Sequence, residues 1–291
     1  MIRKSARARI RASAWIALLA GSLLTGNLAF AQSTDLKTLV PEPYRTAGEI
    51  HFAANAAYPP FNFKSESGES SGLEVSLLVA VGERLGIKMK FTPSDFATVL
   101  PGVTAGRFDG GAAGFWNTEE RQKVVDFINY MYAVDGLVVM KGNPAGISVD
   151  DLCGKTISAS QSSYQSNNLT ALSEKCVAAG KAPIEALVFQ GTPAQIVALK
   201  SGRVQASNID RAVGAYLSKK EGGHIEPLPG AVQNAAGKKF VMAFLVKKGD
   251  LQLAKAIQAG MNAIIKDGTY AKILKQWDIA DDARLPESTI N

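Results

Sequence analysis

Short apolar runs alternate with longer, glycine-stopped amphipathic runs along this chain, and that alternation limits its fold more than any other feature. Residues 49–54 read as a strand, 72–85 as a helix stopped by Gly86, 87–91 as a strand, 95–104 as a helix and 107–113 as a strand. The pattern resumes past residue 150: strand 154–159, helix 166–179, strand 186–189, helix 193–200, strand 204–208. Strands that alternate with helices pair in parallel and are covered on both faces, so the chain is expected to be α/β. VLPGVTAGRFDGGAAG (99–114) and QIVALKSGRVQASNID (195–210) each read as a helix, a small-Gly-Arg-apolar step and a strand of small residues. An internal repeat of this kind favours two similarly built lobes.

In such sheets ligands bind beyond the carboxyl ends of the strands. Arg121 follows the strand of the first copy and Asp210 ends the second copy. The stretch Asn117-Thr118-Glu119-Glu120 reads as a helix start, with Asn117 as cap and Glu120 completing a capping box. Arg121 then falls in the first turn, at the positive end of the helix dipole, where a cation is slightly unfavourable. Read alone, an arginine in TEER is a solvated or salt-bridged surface group, and Asp210 beside Arg211 reads as half of a local ion pair. If the two lobes face each other, however, a cation from one and an anion from the other meet in the cleft, and a bound zwitterion satisfies both.

The first 31 residues read as a secretory signal peptide: Arg3, Lys4, Arg7, Arg9 and Arg11 form a basic head, residues 12–28 are mostly apolar, and Ala29-Phe30-Ala31 is a cleavage site. The apolar run is broken by Gly21, Ser22 and Gly26, unlike a membrane anchor, and no cysteine lies near the cut for a lipid. These residues hold five of the 32 Lys and Arg, leaving 27 basic against 26 acidic side chains, so the pI of about 9.2 makes no case for nucleic acid. Cys153 and Cys176 are the only cysteines, and export predicts that they are bonded, free buried thiols being the alternative. With two histidines, His51 and His224, and no Cys/His cluster, neither a metal nor a cofactor is expected.

Several segments resemble, in order and spacing, the periplasmic solute-binding proteins of polar amino-acid ABC importers, solute-binding protein family 3. They are NAAYPPFNF (55–63), GLEVSLLVAVGERLGI (72–87), NTEERQKVVDF (117–127), VVMKGN (138–143), DLCGKTISASQSSYQ (151–165), SGRVQASNIDRAV (201–213) and KDGTYAKILKQWDI (266–279). The resemblance implies a type II periplasmic binding fold: two Rossmann-like lobes joined by two crossing strands that close around a ligand. Lobe 1 is expected over 43–137 plus 244–291 and lobe 2 over 138–243. It further implies that Arg121 takes the ligand α-carboxylate in a bidentate pair. Backbone N–H groups near Gly114 and Trp116, and from Ser163 or Tyr164, complete that pocket, and Asp210 accepts from the α-ammonium. Tyr58 and Phe96 are expected against the ligand side chain, with Phe61 in the core.

Departures from the family pattern bear on the ligand. Asn55 stands where many relatives carry an acid, which argues against a lysine, arginine or histidine specialist. Trp116 replaces a hydroxyl residue, and Ser163-Tyr164 replace a Thr-Thr pair. The expected function is capture of a neutral amino acid, aromatic or amide, in the periplasm by a monomer that delivers it to an ABC permease, without catalysis. The alternatives are a periplasmic enzyme on the same fold, such as a cyclohexadienyl dehydratase, and a ligand sensor subunit. Glu74, on the first helix, is expected at the lobe surface.

Overall fold

A computed structural model of the chain describes residues 35–233 and 240–291. The expected signal peptide lies outside the described residues.

In chain order the elements are helix α1 (Glu42–Ala47), strands β1 (Glu49–Asn55), β2 (Ala57–Tyr58), β3 (Asn62–Lys64) and β4 (Ser70–Ser71), then α2 (Leu73–Leu85), β5 (Lys88–Ser94), α3 (Phe96–Thr104), β6 (Gly110–Trp116), α4 (Glu119–Gln122) and β7 (Val125–Ala133). There follow β8 (Asp135–Met140), β9 (Thr156–Ser160), α5 (Tyr164–Ala178), β10 (Glu185–Phe189), α6 (Thr192–Lys200), β11 (Ala206–Asp210), α7 (Arg211–Lys220), β12 (Ile225–Pro227), β13 (Phe240–Lys247), α8 (Leu251–Lys266) and α9 (Thr269–Gln276).

Two five-stranded sheets organise them. The first runs β5-β1-β6-β13-β7 and the second β10-β9-β11-β8-β12, while β2, β3 and β4 form a small antiparallel sheet. In the first, β1 pairs in parallel with β5 and β6, and β13 is antiparallel to β6 and β7. In the second, β9 is parallel to β10 and β11, and β8 is antiparallel to β11 and β12. The chain passes from the first sheet to the second at Val134, between β7 and β8, and returns between β12 and β13.

Strand periodicity explains the layers. Ile50 and Phe52 point into the core beneath α2 and α8, whereas Ala53 points to the opposite face with Val99 and Val103 of α3. Helix α2 buries Leu73, Leu77, Leu78, Val81 and Leu85, a stripe at helical spacing, and ends on Gly86 in the left-handed conformation. It begins at Gly72, where φ is +129° and a Cβ would lie 2.2 Å from the Phe61 carbonyl oxygen, so only glycine fits. In the second half, Leu137, Ile157, Ala159 and Leu169 form a separate cluster with Cys176, which is bonded to Cys153.

The repeated segments fold alike but later than their sequences suggest. The strand expected at 107–113 is β6, Gly110–Trp116, and that expected at 204–208 is β11, Ala206–Asp210. In both, a glycine at φ +72° follows the helix and the next arginine's N–H returns to a helical carbonyl: Arg107 to Gly102 and Arg203 to Ala198, each at 2.9 Å. That turn consumes the residues before the strand.

Candidate functional site

The helix carrying Arg121 is one turn long, and its cap is Thr118, whose Oγ1 accepts from the Arg121 N–H at 3.4 Å. The expected capping box from Asn117 is therefore absent. Asn117 instead accepts from Gln122 Nε2 and donates to Asn129 Oδ1, because the chain must turn at once into β7.

Arg121 Nη1 donates to the Trp116 carbonyl and Nη2 to the Ser162 carbonyl, both at 2.9 Å. Its guanidinium lies 5.1 Å from the Phe115 ring centre and 6.0 Å from that of Phe96. Burial lowers its pKa to about 10 despite the partly offsetting charge of Glu120. A desolvated cation held by carbonyls and rings, with donors to spare, is suited to an incoming anion.

Asp210 ends β11 and is 2% exposed. Its Oδ1 accepts from Trp116 Nε1 at 2.9 Å and its Oδ2 from the Tyr58 hydroxyl. Burial pushes its carboxyl well above the usual range. Arg211 does not pair with it but turns to Asp282 at 2.8 Å, which removes the local ion-pair reading.

The structure brings all nine sequence-predicted residues, Asn55, Tyr58, Phe96, Gly114, Trp116, Arg121, Ser163, Tyr164 and Asp210, to the lining of one cavity between the two sheets. Its volume is about 50 Å³. They arrive from the carboxyl ends of β1, β2, β6 and β11 and from the starts of α3, α4 and α5. Aromatic rings close it: Trp116 stacks on Tyr164 with centres 4.7 Å apart and planes at 15°, Phe240 packs against both, and Phe96 stacks on Phe115. Phe61 is fully buried beneath Tyr58, as expected of a core residue.

Three details differ from expectation. The Gly114 N–H does not face the cavity as a free donor; it donates to Glu74 Oε2 at 3.0 Å. Gly114 itself sits at φ +65°, and a Cβ there would lie 2.7 Å from the Tyr58 ring. The Ser163 N–H likewise returns to the Ser160 carbonyl at 3.2 Å, while its hydroxyl caps α5 by accepting from Ser166 N–H at 3.1 Å. Glu74 is no surface residue: it is fully buried, accepts from Asn62 Nδ2, lies against Tyr130, and has its pKa raised by burial to about 8.

Sequence reasoning missed several lining residues, among them Asp95, Gln165, Gln190, Thr192 and Asn208. It also missed Asp135, which is 4% exposed behind Asn208 and has its carboxyl raised by burial to about 8. Asp135 is the cross-strand partner of Asp210, a relation visible only after β8 and β11 are paired. The one available signal was VDGL (134–137), an acid inside an apolar run. Among the described residues, no group of three or more His, Cys, Asp or Glu is placed to hold a metal, and no helix is long and apolar enough to cross a membrane.

Residues 50–279 match the family described as bacterial extracellular solute-binding proteins, family 3. Among curated proteins, the chain is similar to the arginine-binding protein ArgT of Corynebacterium glutamicum, with 31% identity over 88% of this chain and 83% of that one. Among solved structures it resembles an ancestral arginine-binding protein bound to glutamine, at 32% identity and a TM-score of 0.68, covering 79% of this chain and 97% of that one. It also resembles an ancestral amino acid-binding protein that is a precursor of cyclohexadienyl dehydratase, at 27% identity and a TM-score of 0.67 over 82% of this chain and 99% of that one. The two-sheet α/β architecture is thus that of the periplasmic binding proteins.

Proposed function

The chain belongs to the bacterial extracellular solute-binding proteins, family 3, and from that premise we propose that it captures a free amino acid between its two lobes and delivers it to an ABC permease in the periplasm. The observation that carries this reading is the pairing of opposite needs across one cavity. Arg121, on the first lobe, is a desolvated cation bonded to carbonyls, and Asp210, on the second, is a buried carboxylate bonded to neutral donors. An α-carboxylate at the first and an α-ammonium at the second neutralise both, and they do so together only when the lobes close.

Binding without turnover is the reading preferred over a dehydratase. A catalytic acid must reach the leaving group. The buried acids Glu74, Asp126 and Asp135 do not line the cavity, and of the two that do, Asp210 is already bonded to Trp116 and Tyr58 and Asp95 is exposed at the start of α3. Glu74 lies behind Gly114, and Asp135 lies behind Asn208.

The test is calorimetric titration of the refolded protein with the common amino acids, with prephenate and arogenate as turnover controls. One or a few amino acids are expected to bind. Arg121→Ala and Asp210→Ala are each expected to weaken binding at least 100-fold, since each strands one charge of the ligand in a buried site. Unchanged affinity in either variant, or consumption of prephenate or arogenate, would sink the proposal.

A further inference from the structure

The second-lobe wall of the cavity is built around Asn208. Its side chain shares a strand face with that of Asp210, two residues on. Its Nδ2 is fully committed, donating at 2.8 Å both to Asp135 Oδ1 and to the Gly136 carbonyl. The amide is thereby held in one orientation, and its Oδ1 is buried with no hydrogen-bond partner, although Asn208 is 1% exposed and lines the cavity. Thr192, 3% exposed on the same wall, has a hydroxyl that is also buried without a partner.

Asp135 is what fixes this arrangement. Its Oδ1 takes the Asn208 Nδ2 and the N–H of Gly136 at 3.1 Å, and the Gln165 side chain faces the same carboxyl. A buried acceptor left bare is costly, so an unpartnered one on a residue that lines a ligand cavity favours a ligand that brings a donor. Asn55 plays no such part, because its Oδ1 is occupied by the Ala57 N–H at 3.0 Å.

We propose that Asn208 is a specificity-determining residue, held by Asp135 as a positioning residue, and that the ligand carries an N–H donor at the end of its side chain, an amide or a guanidinium. The inference rests on the amino-acid-binding reading and deepens it: the α-groups are taken by Arg121 and Asp210, and the side-chain terminus by the Asn208 Oδ1 and the Thr192 hydroxyl. A site built to hydrogen-bond a donor discriminates strongly against isosteres that lack it.

Titration with glutamine and arginine, against methionine and glutamate as isosteres without the donor, tests this directly and needs no variant. At least one of the first pair is expected to bind tenfold or more tightly than both of the second, and the comparison within the first pair distinguishes amide from guanidinium. Asn208→Leu is expected to reduce that preference to threefold or less. Asp135→Asn retains an oxygen opposite the Asn208 amide and is expected to keep the preference, whereas Asp135→Ala is expected to lose it; a merely structural Asp135 would shift all four ligands equally. Methionine or glutamate binding as tightly as glutamine and arginine overturns the inference while leaving the amino-acid reading intact. So does a preference that survives Asn208→Leu. Silence with all amino acids overturns both.

Discussion

Glu74 shows how a single side chain changes meaning with its surroundings. In the first turn of α2 it has the place of an ordinary solvated carboxylate favoured by the helix dipole, yet it is fully buried among Asn62, Gly114 and Tyr130. Burial raises its pKa from 4.5 to about 8, and raises that of Asp135 from 3.8 to about 8. The native protein therefore keeps protons that the unfolded chain releases, so the contribution of each acid to stability is complete below the unfolded value and is lost as pH rises towards 8. Each is expected to contribute a slope of about 1.4 kcal/mol per pH unit across that window. Glu74→Gln keeps an oxygen for the Gly114 N–H and cannot titrate, so its melting temperature is expected to fall less steeply between pH 5 and 8; equal slopes would show Glu74 to be ionised in the fold. The nine cavity residues were legible from motif order, because each lies at the end of a strand or the start of a helix. Glu74, Asp135 and Asn208 were not, because burial and cross-strand pairing are relations between segments distant in the chain.

Among the elements, the two helix-to-strand repeats show the limits of periodicity. Apolar residues at Phe108 and Val204 extend the apparent strands backward, but the backbone there is occupied by the left-handed glycine and the arginine N–H that close the preceding helices. Helix α4 ends after four residues for a related reason: Val125 already pairs with Lys247 of β13. The disulfide joins the segment before β9 to the last turns of α5, closing a loop between residues 23 apart in sequence. On the chain-entropy account its removal is expected to cost about 3 kcal/mol. Chemical denaturation of Cys153→Ser/Cys176→Ser measures this, and a loss below about 1 kcal/mol would show that the second-lobe core holds α5 without it. Ligand affinity is expected to be unchanged, since Ser163 and Tyr164 stand at the opposite end of that helix.

At the scale of the whole molecule, the described residues show which contacts join the lobes at the cavity. Arg121 reaches the Ser162 carbonyl, Tyr58 and Trp116 reach Asp210, and Trp116 stacks on Tyr164. Closure is thus a balance that one ring can tip, an aromatic stack being worth about 0.5–1.5 kcal/mol beyond its buried area. Tyr164→Ala is expected to enlarge the radius of gyration measured by X-ray scattering without ligand and to weaken ligand binding several-fold, with the melting temperature little changed. An unaltered radius would mean that the ring does not bias closure. The sequence alone determined the α/β class, the two-lobed plan and the strand and helix ends that line the cavity, because apolar periodicity, glycine stops and motif order are local properties. The tertiary structure alone decided which acids are buried, which N–H groups are already spent and which amide oxygen is left bare. Those outcomes depend on what each group meets across the fold, and no segment carries that information by itself.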